Sequence, residues 1–556
     1  MAIVARGMML GLLLWGLNHL FLIAAFFKQD PRYEPLLAAR GQDTAQYFAW
    51  IKALTTTWSI PNYFAPWHTE AAQHVPLMWL IGQVNRVVQV SEAAIYLAAH
   101  ILLYAAGGIV YLLFLRVFAR SRREAVYCTL VALCILPTRA YLLLPVLARG
   151  RPGWRWSAGF DSFAGGASGD GFFQGVSSSL TVTLGTVGVL LALLLIGRYL
   201  DSGSPRDLWG AAVWNGLLTL FHPFEFVTLL PASALTLLWV SASGKKPIGK
   251  AIGECMILGI PSTAAALLYV SGAAVPWLKV ATDLNRFEQP FHLDRLLILG
   301  LPLLAIVGVT LFTAQAARSW KDRLLTLYVL IAVAVFFVPF APWPRLGGLY
   351  YVAAIVAVHR WQDLLAGRLT PGLRKLAGAA AYGVLALALI AHVYFRYASF
   401  RIGLEANETP DVVGAVASVE ERAVHAWLAR QPHVDRQLVL APHPYATWFT
   451  TIPMHSFGSH FLFSLTYPTQ RDQADRFFAG TLGDEKARQL LARYGVHWIL
   501  LPADSNAAKT YIESAGAALR FQTASLALYE VAGAEMKPFP KLTKTQPGVY
   551  EWLEAR

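Results

Sequence analysis

The chain has 556 residues, 56% of them hydrophobic and only 14% charged, with a mean hydropathy of +0.47. That balance excludes an ordinary soluble protein and predicts a polytopic α-helical membrane protein. Forty-six Lys and Arg against 33 Asp and Glu leave a formal net charge of +13. No segment concentrates those cations with aromatics on one soluble face, so a nucleic-acid partner is rejected.

A membrane span needs about 20 apolar residues to cross about 30 Å of hydrocarbon. Eleven stretches are predicted to do so: about 7–27, 93–115, 125–147, 180–198, 208–221, 224–241, 251–271, 296–314, 324–341, 347–364 and 376–395. The first is followed by no small-residue cleavage site and reads as an uncleaved anchor. The fifth and sixth form a predicted helical hairpin turning at His222-Pro223-Phe224-Glu225. Cys128, Cys134 and Cys255 all fall in spans without paired spacing, so they read as small buried apolar residues.

Basic residues gather in alternate loops: Arg116, Arg120, Arg122 and Arg123; Lys245, Lys246 and Lys250; Arg318, Lys321 and Arg323; Arg368, Arg374 and Lys375. With eleven spans these loops share one side. The positive-inside tendency makes that side cytoplasmic, with the amino terminus inside and the carboxyl terminus outside. Three outer segments, 28–91, 148–179 and 397–556, are longer than connectors need to be, and long ordered loops carry function.

In the first loop, Asp43 opens a stretch in which Tyr47, Phe48, Ile51 and Leu54 recur at helical spacing, as in a helix lying on the membrane surface. Two readings of Asp43 stand side by side. With Gln46 three residues on it makes a capping box, an arrangement that stabilises a helix by about 1 kcal/mol; as an acid beside the membrane it is a candidate catalytic carboxylate. A second helical stretch, Val75 to Val90, follows the aromatic run Pro61-Asn62-Tyr63-Phe64-Ala65-Pro66-Trp67-His68.

The second outer loop carries Arg149, Arg151 and Arg155 among Trp154 and Trp156, then Asp161 and Asp170 among glycines. Arginines on the outer side run against the positive-inside tendency. A phosphate would compensate them, because the guanidinium fork matches its oxygens; lipid headgroups are the alternative. Arg139, His222, Glu225 and Arg345 lie near the outer ends of spans, where an ionisable residue faces protein or water or snorkels to the interface. His68, His74 and His292 show no metal-ligand pattern.

After 396 the pattern changes. Leu438-Val439-Leu440 reads as a strand, Gln473 to Phe478 and Glu485 to Tyr494 as helices, and His497 to Leu501 as a buried strand, together a small α/β domain. It has no Gly-rich dinucleotide loop, P-loop or Ser-His-Asp order. Residues beyond about 534 read as a peripheral tail.

Asp43-Thr44-x-x-Tyr47, the Pro61-Asn62 to His68 run, His222-Pro223-Phe224-Glu225 and Arg493-Tyr494-Gly495-Val496-His497-Trp498-Ile499, set in this architecture, resemble the C-type (GT-C) membrane glycosyltransferase superfamily. Uncharacterised bacterial members using polyprenyl-phosphate-linked sugars are the most similar group. The resemblance implies a transmembrane catalytic domain, 1–396, and an extracytoplasmic α/β domain, 397–556. It implies transfer of a sugar from a polyprenyl-phosphate donor to a glycan, lipid or protein acceptor on the outer face, with Asp43 as general base. Asp161 or Asp170 would supply a second carboxylate. Arg149, Arg151, Arg155 and Arg345 would meet the phosphate, with Tyr47, Arg139, His222 and Glu225 as further substrate contacts.

A divalent metal, Mg or Mn, is a possible cofactor in the family. Here Asp43 is followed by Thr44 where many members carry a second acid, and no metal ligand is assigned. The chain has no Asp-x-Asp pair, in keeping with a lipid-phosphate donor. Two alternatives stay open: a surface-polysaccharide polymerase or ligase, and a lipid or solute transporter, which repeats and broken mid-membrane helices would favour.

Overall fold

The computed structural model describes residues 1–18, 33–35, 41–60, 75–135, 180–272, 319–336, 348–368, 416–442, 445–449, 452–457, 467–505, 507–537, 542–546 and 549–552, with isolated residues between 307 and 311 and between 370 and 390. The chain divides into two compact units. One comprises Met1–Leu20, Ala99–Tyr269 and Phe291–Arg401; the other Phe21–Ala98, Val270–Pro290 and Ile402–Arg556.

The first unit is a helical bundle. Glu92–Phe118, which enters it at Ala99, Thr183–Ser202 and Ile248–Leu268 are long and apolar enough to cross a membrane, and Ala2–Gly16 and Phe226–Ala242 are shorter apolar helices. This is a multi-pass membrane protein. Helices Arg122–Ile135, Pro205–Phe221, Trp320–Phe336 and Gly348–Arg368 fall on further predicted spans; those at 296–314 and 376–395 lie largely outside the described residues.

Close helix packing without a hydrophobic driving force needs small residues at the contact. The first helix, Ala2–Asn18, meets it with Gly7 and Gly11, which lie against Ile109 and against Tyr104 and Ala105; a Cβ on either, or on Gly108, would collide with backbone of the other helix. Residue 7 meets 109 and residue 11 meets 104, so numbers rise on one helix as they fall on the other and the two are antiparallel. The predicted hairpin is present: Pro205–Phe221 ends, Pro223–Glu225 makes one 3-10 turn, and Phe226–Ala242 returns. His222 is extended (φ −147°, ψ 77°), as the ring of a following proline requires.

Ion pairs tie the basic loops to one end of this bundle. Lys321 Nζ lies 2.9 Å from Asp201 and 2.9 Å from the Val117 carbonyl, Arg120 holds Asp363 at 2.9 Å, and Lys245 stands 4.9 Å from the Trp320 ring centroid. Residues 116–123, 243–250 and 319–323 therefore share an end with the last turns of Gly348–Arg368.

The second unit contains a five-stranded sheet in the order His455–Ser456, Leu438–Leu440, Trp498–Pro502, Leu526–Glu530, Ala518–Gln522, the first three parallel and the last two antiparallel. Both faces are covered, so its central strands are apolar throughout rather than alternating. Leu438, Leu440, Ile499 and Leu501 pack with Phe477, Leu490 and Tyr511 on one side. Val439, Trp498, Leu500 and Leu528 pack with Val424, Leu428 and Phe449 on the other. The Asp484–Tyr494 helix stops at Gly495 with φ 63°, where a side chain would also collide with the Glu535 carbonyl.

This unit also takes in the first loop, which the predicted boundary at 396/397 had placed with the bundle. Tyr33–Pro35 pairs antiparallel with Val416–Ser418. The Gly41–Ala53 helix buries Phe48, Ala49, Trp50 and Ile51, with Leu54 just beyond its end. Gly82 of the Pro76–Val88 helix stands against the Ile51 carbonyl, and Gln83 Nε2 donates to the Leu54 carbonyl at 2.7 Å. The expectation of a helix lying on the membrane is corrected here. Its apolar face is covered by protein.

Candidate active site

The helix carrying Asp43 begins at Gly41, three residues earlier than a capping role requires. An N-cap residue precedes the first helical turn, whereas Asp43 is the third residue within it. The capping-box reading with Gln46 does not match this backbone; the Asp43 side chain itself lies outside the described residues. Tyr47, one turn on, is 9% exposed, its ring stacked 5.9 Å from Tyr96 and edge-on to Trp50 at 5.7 Å. The aromatic cluster fixes how the helix sits in its unit.

His222 and Glu225 come together in the bundle. Pro205–Phe221 starts at the basic end, where Asp207 pairs with Arg198 at 3.3 Å, and runs about 25 Å at 1.5 Å per residue, so the turn that follows lies toward the opposite end. His222 is 2% exposed and Glu225 0%. Their Nδ1 and Oε1 atoms are 4.0 Å apart. Tyr328, from the Trp320–Phe336 helix, donates its hydroxyl proton to Glu225 Oε2 at 3.2 Å. Gly185 makes room for the imidazole, since a Cβ there would sit 2.6 Å from His222 Nδ1. A carboxylate inside a membrane bundle is expensive unless it serves a purpose. Chemically the group can hold or pass a proton between Glu225 and Tyr328, with His222 beside them.

Tyr328 is a residue that sequence reading passed over. Its signal was present, because a buried tyrosine hydroxyl seeks a partner, but nothing in an apolar span says which distant acid that is. Arg139, Arg149, Arg151, Arg155, Asp161, Asp170 and Arg345 lie outside the described residues, as do His68, His74 and His292.

A second polar constellation occupies the basic end. His359 Nε2 is 2.5 Å from Glu124 and its Nδ1 2.7 Å from Asp322, all three buried. Arg120 adds a two-pronged contact to Asp363 at 2.9 and 3.3 Å. Both His359 nitrogens can donate at once only in the imidazolium form, which places one positive charge between the two carboxylates. This network is complete in itself and reads as a fastening of helices.

Among the described residues no group of three or more His, Cys, Asp or Glu is arranged to hold a metal ion. No step below is drawn through Mg or Mn.

No family model matches the chain, and no curated protein matches it. Among solved structures it is similar to ArnT from Cupriavidus metallidurans bound to undecaprenyl phosphate, at 12% identity over 93% of this chain and 98% of that one, with a TM-score of 0.46. It is also similar to the oligosaccharyltransferase AglB from Archaeoglobus fulgidus in complex with an inhibitory peptide and a dolichol-phosphate, at 11% identity, 94% and 74% coverage and a TM-score of 0.46. A further similar structure is the Archaeoglobus fulgidus oligosaccharyltransferase complex with Zn and sulfate, at 13% identity, 87% and 68% coverage and a TM-score of 0.41.

Proposed function

We propose that the protein is a GT-C-type glycosyltransferase that moves a sugar from a polyprenyl-phosphate donor to a glycan, lipid or protein acceptor at the outer face of a bacterial cytoplasmic membrane. The observation that carries the reading is the place of Asp43. It lies in the first turn of a helix that is built into a folded unit with the terminal α/β domain, so the first loop is a structured element carrying an acid, as the motif resemblance implies.

In the proposed reaction Asp43 accepts the proton of an acceptor O–H or N–H. The acceptor atom bonds to the sugar anomeric carbon, and the carbon–oxygen bond to the lipid phosphate breaks with its electron pair leaving on the phosphate. Arg149, Arg151, Arg155 and Arg345 are proposed to receive that charge, which fits the bidentate preference of guanidinium for phosphate oxygens. The buried pair His222 and Glu225 with Tyr328 is proposed to shape the bundle beside the donor's path.

Asp43→Asn tests this reading. The amide keeps the size of the side chain and cannot act as a base, so transfer of radiolabelled sugar from polyprenyl phosphate in membranes should fall by about 10²- to 10⁴-fold, the usual contribution of a general base. Wild-type transfer by folded Asp43→Asn protein would remove Asp43 from the mechanism.

A further inference from the structure

We infer that the junction of the Phe226–Ala242 and Trp320–Phe336 helices binds the headgroup of an anionic glycerophospholipid from the leaflet at the basic end of the bundle. Charge accounting at that end comes first. Glu124 and Asp322 are engaged by His359, Asp363 by Arg120, Asp201 by Lys321, Asp207 by Arg198 and Glu254 by Lys246. Arg116, Arg122, Arg123, Lys245, Lys250 and Arg323 then have no carboxylate partner among the described residues, a surplus of cations facing one leaflet.

Two of these cations are held in place by aromatic rings. The Arg323 guanidinium lies 4.4 Å from the Trp320 ring centroid and 4.9 Å from that of Trp239, and Lys245 Nζ lies 4.9 Å from Trp320. Stacking occupies the face of a guanidinium and leaves its edge N–H donors free, and those match phosphate oxygens. Cation–π contact does not neutralise charge, so Arg323 and Lys245 keep two positive charges against the one Trp320 ring. Tryptophan favours the headgroup level of a bilayer, and Trp239 is 49% exposed. One turn below it Leu235 is 47% exposed, an apolar surface suited to an acyl chain. A free phosphate would find the same donors but no such surface.

The test uses the full-length protein, purified and delipidated in detergent. Dioctanoyl phosphatidylglycerol or dioctanoyl phosphatidylcholine is titrated in, and bound lipid is counted by native mass spectrometry. Phosphatidylglycerol should bind preferentially and survive an equal concentration of inorganic phosphate. Lys245→Gln and Arg323→Gln should each weaken it about fivefold, the effect of about 1 kcal/mol per cation near a lipid surface. Arg122→Gln/Arg123→Gln, surplus cations outside the aromatic bracket, should leave it within twofold. Helicity and Tm are measured on every variant, and Arg323→Lys, which keeps the charge and loses the planar fork, should fall between Arg323→Gln and wild type. Equal binding of the two lipids, displacement by phosphate, unchanged affinity in folded Lys245→Gln and Arg323→Gln, or an equal loss in Arg122→Gln/Arg123→Gln would overturn the site.

Discussion

Among the described residues the membrane bundle shows two buried histidine–carboxylate groups, and they are built in opposite ways. At the basic end His359 stands between Glu124 and Asp322, with Arg120 and Asp363 extending the pairing. Toward the other end Glu225, fully buried, has a tyrosine hydroxyl on one oxygen and a histidine nitrogen 4.0 Å from the other. The first group joins three helices and gives each of its carboxylates a cationic partner. The second keeps a carboxylate where apolar packing would be cheaper, and that difference marks the first as a fastening and the second as a place where function is expected.

The largest effect should follow from breaking the complete network. His359→Ala leaves Glu124 and Asp322 buried without their shared cation, and removing one partner from such a network costs about 3–5 kcal/mol. Thermal unfolding in detergent should show a large drop in Tm; an unchanged Tm would mean that the network holds nothing together. Glu225→Gln should be milder. The amide still accepts from Tyr328, so the Tm should shift little while sugar transfer falls; a Tm loss equal to that of His359→Ala, with normal transfer, would erase the distinction between the two groups.

A third histidine, in the α/β unit, extends the comparison with a smaller effect. Burial pushes the His425 imidazole down, and neighbouring Arg422 adds to the shift, to about 4. Because this folded value lies below the unfolded one of about 6.5, the stability that His425 supports is fully present above pH 6.5 and is lost as pH falls toward 4. Protection from hydrogen exchange in the Val419–Leu428 helix of the full chain, taken relative to the intrinsic rate at each pH, should fall across that window in the wild type and less so in His425→Phe. Equal pH dependence in the two proteins would remove His425 as the cause.

Short-range pattern was legible where chemistry is local. The apolar run Trp498 to Leu501 became a strand buried on both faces, and Glu485 to Tyr494 became a helix, starting at Asp484 and stopped by Gly495. The hairpin at His222-Pro223 was readable because proline dictates the conformation before it. For the Gly41–Ala53 helix the spacing announced an apolar face without saying what covers it, and protein rather than lipid does so. Of the candidate site, His222 and Glu225 were visible as ionisable residues at a span end. Tyr328 was not, because its partner lies more than a hundred positions away in sequence.

The amino-acid sequence by itself determined that this is a helical membrane protein, where its cations accumulate and where a terminal α/β domain begins, because hydropathy, charge bias and strand and helix periods are properties of neighbouring residues. Only the tertiary structure decided that the first loop folds with the terminal domain, that His359 joins Glu124 to Asp322, and that Arg323 stacks against Trp239 and Trp320. Those arrangements rest on contacts between distant segments, and packing, which residue order does not spell out, selects their partners.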